Sequence, residues 1–193
     1  MKLSGKNRYM KNPKPFCFNK KTFKAFVLGA DPTNFSDNGK PKQLEFAFGI
    51  LSDEPRYFNG ILKNLNQMGL HLEDIYVQNL VQEYLTEETA KNEDWEKQAE
   101  KWLPNLIKEF EEVNPGRKKP VLVTAERIMR FLVNDGYKLP AAKDIYSKDA
   151  NTIICIKPKD NRLSRPLFAF YRHPSYSLMK RDKYCALLSE RFK

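Results

Sequence analysis

Residues 25–34 read AFVLGADPTN, and no other stretch limits the chain as strongly. Ala25–Leu28 is apolar on both parities and too short for a helix, as expected of a strand buried on both faces of a parallel sheet. The run stops at Gly29-Ala30-Asp31-Pro32. Gly29 lets the backbone pass close to another group, and Pro32 stiffens the exit. Between them stands one carboxylate, Asp31, just past the carboxyl end of the strand. Open α/β sheets bind their ligands along that edge.

Three more segments read as strands. Asp74–Leu80 (DIYVQNL) places Ile75, Val77 and Asn79 on one parity, so a polar amide closes an apolar face. Val121–Thr124 follows a turn at Pro115-Gly116-Arg117, and Leu167–Arg172 (LFAFYR) runs into His173-Pro174-Ser175-Tyr176. Thr152–Ile156 (TIICI) leaves open an extra edge strand, and the basic loop after it holds Lys157, Lys159, Arg162 and Arg165. Helical patterns alternate with the strands. One starts near Pro55 and runs to about Met68, with Gly69 as its cap. Glu93–Glu112 is amphipathic, with Trp95, Ala99, Trp102, Leu103, Leu106 and Phe110 inward and its acids outward; Pro104 is expected to kink or split it. Ala125–Asn134 and Leu178–Phe192 complete the set. This alternation predicts an α/β fold, a three-layer α/β/α sandwich around a four-stranded, mostly parallel sheet.

A single domain is expected over residues 1–193, with 1–22 as a lysine-rich N-terminal arm that Phe16, Phe18 and Phe23 could anchor. No apolar run approaches the roughly 20 residues that span a bilayer. The basic N-terminus has no apolar stretch behind it, so a cytoplasmic protein without a membrane partner is expected; a monomer is expected as well. Three scattered cysteines and two histidines predict neither a disulfide framework nor a metal site, and no cofactor fingerprint is present. The net charge of +10 is uneven: residues 73–112 carry 12 acids and 4 lysines, so the remainder carries +18. An acidic back and a basic face would suit a polyanion such as nucleic acid.

Three of these strands end in a distinctive polar residue: Asp31, Asn79 and His173. A carboxylate, an amide and an imidazole at one sheet edge suit chemistry on a small planar polar ligand. GADPTN, FAFG, YVQNL and RHPS, in this order and at these strand ends, resemble the uracil-DNA glycosylase superfamily. The likeness extends to the tryptophan-containing helix of NEDWEKQAEKWLPNL and covers roughly residues 25–190 in layout.

The resemblance implies a monofunctional DNA repair glycosylase acting on uracil-containing DNA. Asp31 would orient a water against the sugar's anomeric carbon, and His173 would donate a hydrogen bond to uracil O2. Phe48 would stack on the extruded base, and Asn79 would read its edge. Backbone groups of Gly29 and Ala30 would line the pocket. Ser52, Ser175 and Ser177 would contact phosphates near Lys180, and Leu178 or Tyr176 would wedge into the base stack. Members that exclude thymine most strictly have a glutamine and a tyrosine where this chain has Ala30 and Thr33. A smaller Thr33 leaves room for 5-substituted uracils, and HPSYSL shifts the leucine by one residue. Two other classes stay open: a nucleic-acid-binding protein that keeps the fold without turnover, and a nucleotide-hydrolysing enzyme on a doubly wound fold. The second lacks a GxGxxG or GxxxxGK[ST] fingerprint.

Overall fold

The computed structural model describes residues 10–34, 42–52, 56–145, 155–170 and 182–192. Ala25–Gly29 forms β1, Ile75–Asn79 forms β2 and Val121–Val123 forms β3, and every residue in all three is buried. Cys155–Ile156 is β4 and Leu167–Ala169 is β5. The sheet order is β2-β1-β3-β5-β4. The first four of these pair in parallel, and β4 lies antiparallel on β5. The sheet therefore has five strands and not four. The fifth is the edge strand left open at Thr152–Ile156; its described part is two residues long, with Cys155 exposed and Ile156 buried.

Parity along the strands sets the layers. Phe26 and Tyr76 point to the face covered by α2, Trp95–Val113, where Phe26 stacks on Phe110 with centroids 3.9 Å apart. The helix α3, Glu126–Leu132, joins this layer through Trp95 and Phe131, whose rings meet edge to face at 5.8 Å. The opposite face carries α1, Arg56–Gln67, and α5, Asp182–Ser189; α4 is a single turn at Ala142–Ile145. Tyr184 of α5 donates its hydroxyl to the Ala169 carbonyl at the end of β5. Helices on both faces of a mostly parallel sheet give the expected three-layer α/β arrangement.

Four expectations change. Pro104 sits inside α2 without splitting it. Its missing N–H would have bonded the Glu100 carbonyl, and both residues are exposed, so water can take that bond. Phe16 and Phe23 are buried anchors, but Phe18 is 60 % exposed. Arg165 is not part of a basic surface: it is 2 % exposed, lies 5.2 Å from the Phe26 ring and donates to the Phe110 and Asn114 carbonyls. Arg162 is paired with both oxygens of Glu100 at 2.6 Å.

The N-terminal segment is a strap along the outer edge of β2. Phe16 and Val77 exchange backbone hydrogen bonds of 3.0 and 2.8 Å. On its other side Lys14 donates to the Glu45 carbonyl and accepts from the Ala47 amide. The strap thus ties the turn at residues 45–49 to the sheet. Among the described residues no helix is long and apolar enough to cross a membrane.

Candidate functional site

The carboxyl end of β1 is fixed from both sides. Leu80 and Val81 donate their amides to the Gly29 and Ala30 carbonyls at 2.8 Å, which carries the ladder past the strand. On the other side, the Thr124 amide and hydroxyl both donate to the Leu28 carbonyl. The carbonyls of Gly29 and Ala30 are therefore engaged in holding the loop rigid.

Asp31 sits on that rigid exit, half-buried. Its Oδ1 accepts the Thr33 amide at 2.9 Å, closing a local turn of the kind aspartate favours. Its Oδ2 accepts two donors, the Thr89 hydroxyl at 2.5 Å and the Trp95 indole N–H at 3.1 Å. The Thr33 hydroxyl accepts the Leu85 amide at 2.8 Å, so this side chain is tied to the 80–92 loop. Arg127 of α3 clamps the same loop, donating to the carbonyls of Thr89 and Asn92 while pairing with Glu96. The Glu96 carboxylate raises the Arg127 guanidinium above its ordinary value, so this clamp stays charged.

Asn79 closes β2 and is 3 % exposed. Among the described residues its carboxamide makes no hydrogen bond. A buried amide without partners forfeits about 1–3 kcal/mol, so this group suits a ligand that supplies them. Its own backbone N–H is held by the Gln78 side-chain oxygen at 2.9 Å. Gln78 in turn donates to both oxygens of Glu109 on α2, at 2.9 and 3.0 Å. Tyr76 and Gln82 donate to the same carboxylate at 2.7 and 3.0 Å. Burial, then the Glu109 charge, pushes the Tyr76 phenol far up, so it remains a donor.

Phe48 is brought to Asn79 by the strapped turn. Ala47–Gly49 is one 3-10 turn in which Phe48 has φ 62° and ψ 8°, a left-handed conformation uncommon for an aromatic residue. The ring is 8 % exposed and lies 6.3 Å from Phe58 of α1. A Cβ built on Gly29 would lie 2.3 Å from Asn79 Oδ1 and 2.4 Å from Phe48 Cζ. The amide and the ring therefore meet directly over Gly29, and only glycine fits beneath them. Ser52 lies in the same turn, half-buried, its amide donating to the Gly49 carbonyl.

Of the residues singled out in the sequence, Gly29, Phe48 and Asn79 are in mutual contact, with Ala30, Asp31 and Thr33 on the next bend. Asp31 is bonded to the α2 side of the molecule. His173, Ser175, Tyr176, Ser177, Leu178 and Lys180 lie outside the described residues. Sequence reasoning missed Thr89, Gln78, Glu109 and Arg127, and it placed Trp95 only as core. Gln78 alone carried a signal, a polar residue between Tyr76 and Leu80 on one parity of an otherwise apolar run. Glu109 also corrects the expectation that the acids of α2 all face outward.

No protein-family model matches the chain, and no curated protein matches it in sequence.

Proposed function

We propose that this protein is a monofunctional DNA glycosylase that takes uracil, or a closely related base, out of DNA and hydrolyses its N-glycosidic bond. The observation that carries the reading is the buried Asn79 carboxamide, unpartnered among the described residues, against the Phe48 ring over Gly29. A carboxamide offers one donor and one acceptor side by side, the complement of uracil O4 and N3–H. Cytosine presents the opposite pair and would leave both partners unsatisfied. The Phe48 ring supplies a stacking surface for an extruded base. Asp31, fixed two residues past Gly29, supplies the carboxylate that orients a water and offsets positive charge on the sugar. In the reaction the C1′–N1 bond breaks with its electron pair going to the base. The water oxygen bonds C1′, and its proton passes to Asp31. Neither metal nor cofactor enters this scheme.

The test is base release from oligonucleotides carrying uracil, a thymine mismatch, hypoxanthine or 5-hydroxymethyluracil, followed by alkali to reveal abasic sites. Release of uracil, lost in Asp31→Asn while DNA binding persists, supports the proposal. DNA binding with no release from any base supports instead a binding protein without turnover. Hydrolysis of free nucleosides with no DNA affinity supports the nucleotide-hydrolysing alternative.

A further inference from the structure

The two oxygens of Asp31 are not equivalent. A carboxylate has about four lone-pair positions, two on each oxygen. Oδ2 has both filled, by Thr89 Oγ1 and Trp95 Nε1. Oδ1 has one filled, by the Thr33 amide, and among the described residues nothing else bonds it. One further acceptor position therefore remains, and it is on Oδ1. The donors at Oδ2 come from a part of the chain far from Asp31: Trp95 is fully buried at the start of α2, and Thr89 sits in the loop before it. Both are locked. Arg127 lies 5.2 Å from the Trp95 ring and donates to the Thr89 and Asn92 carbonyls, and its other face is bidentate on Glu96 at 2.7 and 2.6 Å.

A carboxylate used only to cap a turn needs the Thr33 bond alone. Two further donors from another layer, each immobilised in turn, fix the rotation of the carboxylate plane. We infer that Thr89 and Trp95 are positioning residues. They saturate Oδ2 and hold Asp31 so that Oδ1 is the single atom able to accept a proton from the attacking water, with Arg127 bracing them both. This inference rests on the glycosylase reading and adds to it the atom that acts and the residues that aim it. Misplacing a reacting group by about 1 Å costs up to about 100-fold in rate, and loss of either Oδ2 donor frees the carboxylate to rotate.

Single-turnover uracil release is measured for the wild type, Thr89→Val, Thr89→Ser and Trp95→Phe, together with substrate affinity and melting temperature. Thr89→Val keeps the shape and removes the hydroxyl donor. The expected result is a fall of about 10- to 100-fold in the rate of release for Thr89→Val and Trp95→Phe, unchanged DNA affinity, and recovery of most of the rate in Thr89→Ser. Wild-type release by Thr89→Val overturns the inference. So does an equal loss in Thr89→Val and Thr89→Ser that tracks a shared drop in melting temperature, because the hydroxyl would then matter only for folding. A wild type that releases no base is a different failure, since it removes the glycosylase reading itself.

Discussion

Gly29 is the position with the least freedom. A methyl group there would overlap an amide oxygen and a ring carbon, and the ring cannot retreat because its turn is strapped to the sheet. Gly29→Ala is therefore expected to abolish base release and to lower stability by about 1–3 kcal/mol, as overpacking does in dense interiors; urea titration and an oligonucleotide cleavage assay read the two effects. Asn79→Asp changes one atom on the group proposed to read the base. It removes the donor to O4 and offers an acceptor toward the exocyclic amine of cytosine. Release of cytosine from a cytosine-containing duplex is expected where the wild type releases none. An unchanged base preference would show that Asn79 does not read the base.

At the scale of elements, α2 does more than cover the sheet. Its first turn reaches Asp31 through Trp95, and its fourth reaches Asn79 through Glu109 and Gln78. Glu109→Ala would leave Tyr76, Gln78 and Gln82 without their shared acceptor. A loss of about 1–3 kcal/mol in urea unfolding is expected, with weaker discrimination between uracil and cytosine because the end of β2 loosens. The sequence shows clearly why α2 is a helix and which of its residues are apolar, yet nothing local marks Glu109 as the acid that turns inward. The same holds elsewhere. β1 is legible because all five residues are buried and read so. β4 was legible only as an open possibility in TIICI, because a short edge strand with one side chain in solvent shows no firm alternation. Phe48 was legible as an aromatic near the site, but its left-handed backbone is imposed by the strap and cannot be read from AFG. Asp31 was legible through the strand that ends before it, whereas Thr89 and Trp95 meet it across 58 and 64 residues of chain.

At the scale of the whole molecule, arginine and lysine divide the positive charge between them. Arg117, Arg127, Arg162 and Arg165 are paired with acids of α2, which neutralises much of what looked like an acidic back. Hydrogen bonds from Arg127 and Arg162 hold the Glu96 and Glu100 carboxyls below the ordinary glutamate value of 4.5. A carboxyl lowered on folding stabilises above its unfolded value and loses that contribution as pH falls through the folded one. The melting temperature should therefore decline as pH drops below 4.5, and the decline should be shallower in Arg162→Met. Both pairs are partly solvated, so the effect is small and weakens with salt. The strap has a different kind of consequence. Lys20 and Lys21 are exposed in the bend that joins it to β1. A tryptic cut there would leave every rung of the sheet in place while turning the seating of Phe16 from an intramolecular event into an encounter between two fragments. A nicked sample with an intact far-ultraviolet dichroism spectrum would then hold the Phe48 turn less firmly, so proteolysis is expected to lower the proposed base release without unfolding the sheet.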